Sequence, residues 1–222
     1  MSSAKQIPYV SEIARKTIHL ASLLIPIMYL NVEHVTGIFI LTWMALISVS
    51  IDLMMRYHGP TRRILLALVG PILRTHELSR DRLLLTGASW VLISALVTMA
   101  LFPKSIAVTA FTILIVSDTF AALVGRRIAG PRFIDKSMIG TGTFVLTAWL
   151  VVCVYGSIYA MPWTYFACGF VGSVVGGVVE AASIRLRLDD NLSIPFSIAL
   201  TMCLLGWLVT TMGLPSFFGA IL

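Results

Sequence analysis

Seven apolar runs divide the chain, separated by short polar segments. They occupy 17–30, 35–51, 83–102, 106–123, 143–161, 163–182 and 192–212. Several are long enough to cross about 30 Å of hydrocarbon as helices that rise about 1.5 Å per residue. The pattern predicts an all-α, polytopic bundle of about seven transmembrane helices that forms one domain over 1–222. Pro26 is expected to kink the first helix.

The charged residues fall mainly on one side of these spans. When the spans are threaded alternately from a cytoplasmic N-terminus, only Lys104 of the sixteen Lys and Arg residues lies on the far side. Only Glu33 of the ten Asp and Glu residues does so. A positive cytoplasmic face is general among membrane proteins, but gathering the acids there is not required by it. We therefore expect a cytoplasmic, water-facing site for a charged soluble reactant.

The longest polar interruption, 56–82, contains the apolar segment 64–73. Ten residues are too few to span a bilayer, so an interfacial or re-entrant helix is expected. The alternative is a tilted span extended by snorkelling Arg side chains. A crossing here would invert every later segment and remove the charge bias, and the bias therefore argues against it. The segments 56–82 and 125–142 are predicted to be cytoplasmic loops.

Composition supports an integral membrane protein. Of the 222 residues, 58% are apolar and 12% are charged, whereas soluble domains carry about 25% charged residues. The net charge of +6 fits membrane topology and attraction to anionic lipid. Nucleic acid is not an expected partner, because the charges are spread over five short segments. Oligomeric state is left open.

Asp118 is the most informative single residue. It lies inside the apolar run 106–123, where a carboxylate costs about 2.5–3.5 kcal/mol on insertion scales. Such a residue usually faces a partner or a wet cavity. A buried ion pair, or an Asp protonated by desolvation, is the structural alternative. Ala121, Ala122 and Gly125 share its helix side, so a groove of small residues is expected to lead from Asp118 to the following loop.

The loop 125–142 combines glycines with cationic and hydroxyl side chains. Glycine lets backbone N–H groups approach an anion, and Arg and Lys contact phosphate oxygens. Its candidate phosphate-binding residues are Gly125, Arg126, Arg127, Lys136, Ser137, Gly140 and Thr141. The last residues precede a helix, whose N-terminus favours anions. The Walker A spacing is absent, and an ordinary positive-inside loop is the alternative.

Three further groups carry candidate chemistry. Glu180, at the end of a stripe of small residues, and Asp190 are oxygen ligands that suit Mg²⁺, although Asp190 could simply cap the last helix. Lys16 is either a headgroup anchor or a site residue, and His19 is either a general base or a structural histidine. Arg74 and Glu77 have the spacing of a local ion pair.

With these residues in place, the chain resembles the CTP-dependent membrane lipid kinases, a family that includes dolichol kinase, phytol kinase and the fungal-type diacylglycerol kinase. The resemblance spans most of the length and is clearest in 112–142. Its motifs are Asp118-Thr-Phe-Ala-Ala-Leu-Val-Gly125-Arg126-Arg127 with Lys136-Ser137, Arg15-Lys16-x-x-His19, Arg74-x-x-Glu77 before Thr86-Gly87, Phe102-Pro103-Lys104, and Asp190-Asn191 with Pro195. Each motif is weak alone, and the five occur in the family's order.

One position departs from the family pattern. The family usually has Lys-Ser-x-Glu-Gly, and Ile139 stands here where Glu is expected. Glu180 or Asp135 is a candidate substitute for that carboxylate. Without a substitute, the activity or the nucleotide preference is expected to differ from the family's.

The resemblance implies an enzyme that transfers the γ-phosphoryl group of CTP to the hydroxyl of a lipid alcohol, such as a polyprenol, dolichol, phytol or diacylglycerol. It implies Mg²⁺ at Asp118 with Asp190 or Glu180, and a proton acceptor at Asp118 or His19. It also implies triphosphate contacts from the 125–142 loop, with Lys16, Arg74, Glu77 and Asn191 in the nucleotide site. The membrane would be a bacterial or archaeal cell membrane or the endoplasmic reticulum. The alternatives are a CTP:phospholipid cytidylyltransferase and a small transporter or scramblase.

Overall fold

The computed structural model describes residues 9–57, 59, 63, 85–128, 130–186 and 189–219. These residues form eight helices and one short hairpin. The elements are α1 Tyr9–Ala21, α2 Leu24–Leu30, α3 His34–Tyr57, α4 Gly87–Leu101, α5 Lys104–Arg127, β1 Arg132–Phe133, β2 Lys136–Ser137, α6 Met138–Ile158, α7 Trp163–Leu186 and α8 Asp190–Thr211. The predicted segment 64–73, with Arg74 and Glu77, lies outside the described residues.

The first predicted span is divided into two helices. The chain forms tight turns at its break, where Ser22 N donates to His19 O and Leu23 N donates to Leu20 O, both at 3.0 Å. Pro26 has no N–H to donate to the carbonyl of Ser22, so an uninterrupted helix would leave that group without a partner. The kink expected at Pro26 therefore takes the form of a break before it.

Helix α5 forms the centre of the bundle. Most of its residues are buried, and it packs against α1, α2, α4, α6 and α8. Helix α3, in contrast, exposes large apolar side chains such as Phe39 and Trp43. A central buried helix and an outer lipid-facing helix are the arrangement that a membrane bundle requires, because apolar side chains are stable toward lipid as well as toward the core.

The structure confirms an all-α polytopic membrane bundle. Five described helices, α3, α5, α6, α7 and α8, are long and apolar enough to cross a bilayer, and α4 is a shorter apolar helix. The only described strands are the two-residue β1 and β2, which pair antiparallel with Arg132 opposite Ser137 and Phe133 opposite Lys136. The protein is therefore an integral membrane protein by fold.

The predicted loop 125–142 is shorter than its sequence indicates. Residues 125–127 complete the last turn of α5, and α6 begins at Met138 with Ser137 as its N-cap. Between the helices, Ile134 adopts a positive φ of 58° at the hairpin turn. Glycine content suggested an open loop, but hydrogen bonding along the helix ends and across the hairpin orders most of it.

Lys104 lies at the end of the bundle opposite the hairpin. Its ammonium group donates to the carbonyls of Leu30 and Val32 at 3.1 and 3.3 Å. Tyr29, beside it, contacts His34 Nδ1 at 2.6 Å and donates to Met99 O at 3.3 Å. Lys104 therefore fastens the α2–α3 turn to the start of α5.

Candidate functional site

One cavity of about 480 Å³ opens where the ends of α5, α6, α7 and α8 meet the hairpin and the side of α1. Its charged lining is balanced, with four basic and four acidic residues. The lining residues are Arg15, Lys16, Asp118, Ala121, Ala122, Gly125, Arg126, Lys136, Ser137, Gly140, Glu180, Asp189, Asp190 and Asn191. The groove expected from Asp118 along Ala121, Ala122 and Gly125 is part of this lining.

Asp118 lies on α5 and pairs with α1. Lys16 Nζ donates to Asp118 Oδ2 at 2.5 Å and to the Asp118 backbone carbonyl at 3.1 Å. His19 Nε2 is 3.7 Å from the same carboxylate oxygen and has no hydrogen-bond partner among the described residues. Asp118 is therefore a buried ion-pair member and a cavity-lining carboxylate at once.

Lys136 joins the hairpin to two helices. Its ammonium group donates to Glu180 Oε1 on α7 at 2.6 Å and to Asp190 Oδ2 on α8 at 3.2 Å. Burial acts to lower the pKa of Lys136, but the carboxylates of Asp190, Glu180 and Asp118 outweigh burial, and the pKa is raised above its usual 10.5. A cation held in this way stays charged at neutral pH.

Helices α5 and α6 pack closely together where Gly125, Ser137 and Gly140 line the cavity. A Cβ added at Gly125 would lie 2.9 Å from Ser137 Oγ and 3.2 Å from Gly140 Cα. Ser137 Oγ accepts from Gly140 N at 3.0 Å, so this N–H already has a partner in the helix cap. The role that the structure gives these glycines is close helix approach.

Asp189, rather than Asp190, is the N-cap of α8. Its carboxylate accepts from Asn191 N at 3.0 Å and from Asn191 Nδ2 at 2.8 Å. The capping role considered for Asp190 is therefore wrong, and the Asp190 side chain is instead directed at Lys136.

Not every predicted site residue lines the cavity. His19 lies 3.7 Å from Asp118 Oδ2 but is not among the lining residues, and Arg127 is exposed outside the lining. Thr141 is buried in α6, and its Oγ1 has no hydrogen-bond partner among the described residues. Arg15, the first residue of the Arg15-Lys16-x-x-His19 motif, does line the cavity.

Ile139, which stands where the lipid-kinase motif has Glu, is not among the cavity-lining residues. Ile139 packs on the chain before the hairpin, where a Cβ at Gly130 would lie 2.8 Å from Ile139 Cδ1. Asp135 pairs with Arg185 at 3.0 Å and is not part of the cavity lining. Of the two candidate substitutes for the missing carboxylate, Glu180 is the one that reaches the cavity. The Asp135–Arg185 pair has no sequence signal, because its residues are 50 positions apart.

A divalent cation shared with a ligand could be held by the carboxylates of the lining. Asp118, Glu180 and Asp190 supply hard oxygen atoms around one cavity, and Glu180 Oε2 is buried with no hydrogen-bond partner among the described residues. Within those same ranges, no three His, Cys, Asp or Glu side chains form a ready-made metal centre. Mg²⁺ commonly uses one or two protein carboxylates and completes its coordination with water and phosphate.

Fold and site define a polytopic all-α membrane protein with a charged cavity at one end of its bundle. The chain belongs to the same family as a protein of Rickettsia prowazekii (strain Madrid E), the uncharacterized protein RP860. The two are 30% identical over 187 residues, which cover 84% of this chain and 91% of the Rickettsia protein. No family model matches the chain, and no solved structure matches it.

Proposed function

We propose that the protein is a CTP-dependent lipid kinase that phosphorylates the hydroxyl of a membrane lipid alcohol at the cytoplasmic face. The observation that supports this most strongly is the cavity itself. Four basic and four acidic side chains converge on a space of about 480 Å³ at the end of a membrane bundle. Phosphoryl transfer depends mainly on positioning and charge stabilisation, for which such a lining is suited.

The triphosphate lies against the cationic part of the lining. Lys16, Arg126 and Lys136 reach the cavity from α1, the end of α5 and the hairpin. Arg offers forked contacts to phosphate oxygens, and Lys offers a compact charge. The lipid chain stays among apolar helices, so that only its hydroxyl enters the cavity.

The reaction forms one bond and breaks one. The lipid oxygen bonds to the γ-phosphorus of CTP, and the bond from that phosphorus to the β-γ bridging oxygen breaks and leaves CDP. The alcohol proton passes to Asp118, or by way of Asp118 to His19, whose Nε2 lies 3.7 Å from Asp118 Oδ2. General-base assistance of this kind contributes about 100- to 10,000-fold.

Asp118, Glu180 and Asp190 are the carboxylates that would hold Mg²⁺. When bound, the ion neutralises charge on the phosphate oxygens. The side chains of Lys16 and Lys136 contact these carboxylates and offer their remaining ammonium hydrogens to the phosphates. Removal of divalent cations by a chelator is therefore expected to stop the reaction, and added Mg²⁺ to restore it.

The test is a screen of purified protein with CTP and ATP, each labelled at the γ position, against polyprenol, dolichol, phytol and diacylglycerol. The proposal predicts label in the lipid phase with CTP and one of these alcohols. Protein with Asp118→Asn, prepared in parallel, controls for contaminating kinases. Absence of lipid-phase label with every pair would overturn the proposal.

A second label position tests the cytidylyltransferase alternative. That activity would move the α-phosphorus of CTP into lipid and release pyrophosphate, whereas a kinase leaves the α-phosphorus in CDP. A transporter or scramblase would bind no nucleotide, so equilibrium binding of CTP tests the third alternative.

A further inference from the structure

We propose that Asp135 and Arg185 form a positioning pair that fixes Lys136 between Glu180 and Asp190. Neither residue of the pair contacts the reacting groups in the proposed kinase. The pair instead anchors the hairpin to the inner end of α7. The inference deepens the proposed function and rests on it for its catalytic consequence.

Two contacts join Asp135 to α7. Its backbone N donates to Ala181 O at 3.2 Å, and its Oδ1 accepts from Arg185 Nε at 3.0 Å. Both partners, Ala181 and Arg185, lie in the last two turns of α7. Asp135 therefore fixes the position of the hairpin turn both along the axis of α7 and across it.

The residue after Asp135 carries the ammonium group that enters the cavity. Lys136 follows Asp135 directly and donates to Glu180 Oε1 at 2.6 Å and to Asp190 Oδ2 at 3.2 Å. A long Lys side chain has many rotamers, so two acceptors on different helices hold it only when its backbone is fixed nearby. The Asp135 contacts supply that fixed point one residue away.

The rest of the hairpin is fixed from the other side. Met138 N donates to Pro131 O at 2.9 Å, and Ser137 caps α6. These contacts join the hairpin to α6, whereas Asp135 joins it to α7. Without the Asp135–Arg185 contact, the hairpin remains folded but its attachment to α7 is weaker.

The solvent exposure of the Arg185 side chain distinguishes a role in positioning Lys136 from a role in stabilising the fold. The Arg185 side chain is 68% exposed and that of Asp135 is 18% exposed. An ion pair with one strongly exposed partner contributes less to folding stability than a fully buried pair. Loss of the pair should therefore change the placement of Lys136 more than it changes the stability of the bundle.

The experiment measures the acylation rate of Lys136 by an amine-reactive ester, with peptide mass spectrometry on the full-length protein in detergent. The variants are Asp135→Asn, Arg185→Gln and the charge-exchanged double variant Asp135→Lys with Arg185→Glu. Arg132→Gln, exposed on the same hairpin, is the matched control. Each single variant is expected to raise the rate about threefold or more, and the double variant to return it toward wild type.

The catalytic consequence is measured with CTP. Single variants are expected to raise KM for CTP about threefold or more while kcat changes less than twofold, with restoration in the double variant. Unchanged acylation in both single variants would overturn the proposal, as would acylation that rises without any change in KM. The acylation measurement needs no nucleotide, so it still decides the positioning role if the wild-type protein proves not to be a kinase.

Discussion

Lys16 and Asp118 are 102 positions apart, and the ammonium group of the first donates to both the carboxylate and the backbone carbonyl of the second. Their side chains are 7% and 15% exposed. The pair joins α1 to the central helix α5 at the wall of the cavity. One contact thus serves the packing of the first helix and the charge balance of the proposed site.

Lys16→Met is expected to destabilise the protein strongly. Loss of one member of a buried ion pair leaves the other charge without compensation, which costs about 3–5 kcal/mol. Thermal unfolding in detergent measures the effect. Thr17→Ala, at an exposed neighbour on the same helix, is the control and should change stability by less than about 0.5 kcal/mol.

The double variant Lys16→Met with Asp118→Asn refines this test. Because no unpaired charge remains, it is expected to recover part of the stability lost in Lys16→Met. Equal unfolding temperatures for Lys16→Met and Thr17→Ala would contradict the account of the pair.

Gly125→Ala is expected to be destabilising although alanine favours helices. The added Cβ would lie 2.9 Å from Ser137 Oγ and 3.2 Å from Gly140 Cα, and overpacking of this kind costs about 1–3 kcal/mol. Gly142→Ala is the matched control in α6, since a Cβ there meets nothing within 4 Å. It is expected to be neutral or to stabilise by up to about 1 kcal/mol.

The prediction is tested by measuring the unfolding temperature and the CTP affinity of the Gly125→Ala and Gly142→Ala variants. Gly125→Ala should lower both, because Gly125 lines the cavity, and Gly142→Ala should lower neither. If both variants behave alike, the close approach of α5 and α6 does not shape the site.

The sequence predicts the bundle well because apolar runs of membrane length report directly on helices. The observed α6, α7 and α8 overlap the runs 143–161, 163–182 and 192–212. The small-residue stripe on α7 is explained by packing: a Cβ at Gly169 would lie 2.5 Å from Val152 Cγ1, and one at Gly176 would lie 2.6 Å from Ile198 Cδ1.

Part of the cavity lining was predictable from the sequence, but the pairing of its charges was not. Asp118 is prominent in the sequence because a charge inside an apolar run is costly, and Lys136 is prominent because it lies in a polar, glycine-rich segment. Both residues line the cavity. Which cation meets which acid depends on helix rotation and hairpin position, which a one-dimensional pattern does not contain. For the same reason, the sequence does not reveal the Asp135–Arg185 pair, nor that Asp189 rather than Asp190 caps α8.

Lys136 is expected to keep its charge throughout the neutral and mildly alkaline range. Its pKa is raised above 10.5, because Asp190, Glu180 and Asp118 outweigh the opposing effect of burial. The attraction it contributes is complete below the ordinary pKa and is lost only as pH rises through the raised value. CTP affinity of the wild-type protein should therefore show no Lys136 titration between about pH 6 and 9.

The comparison with Lys136→Arg and Lys136→Met tests this assignment. Arg keeps the charge, so its CTP affinity should follow the wild-type pH profile, and Met should weaken binding about tenfold or more at every pH, since a charge-assisted contact contributes about 1.5–3 kcal/mol. A step near pH 8 that disappears in Lys136→Met would contradict the raised pKa.

The most direct measurement of the central claim is γ-phosphoryl transfer from CTP to a lipid alcohol by wild-type protein and by Asp118→Asn, both assayed at a temperature at which each protein is folded. The account predicts transfer by the wild type and a loss of about 100-fold or more in the variant. Equal transfer by the two folded proteins, or label that remains in the nucleotide with wild type, would contradict it.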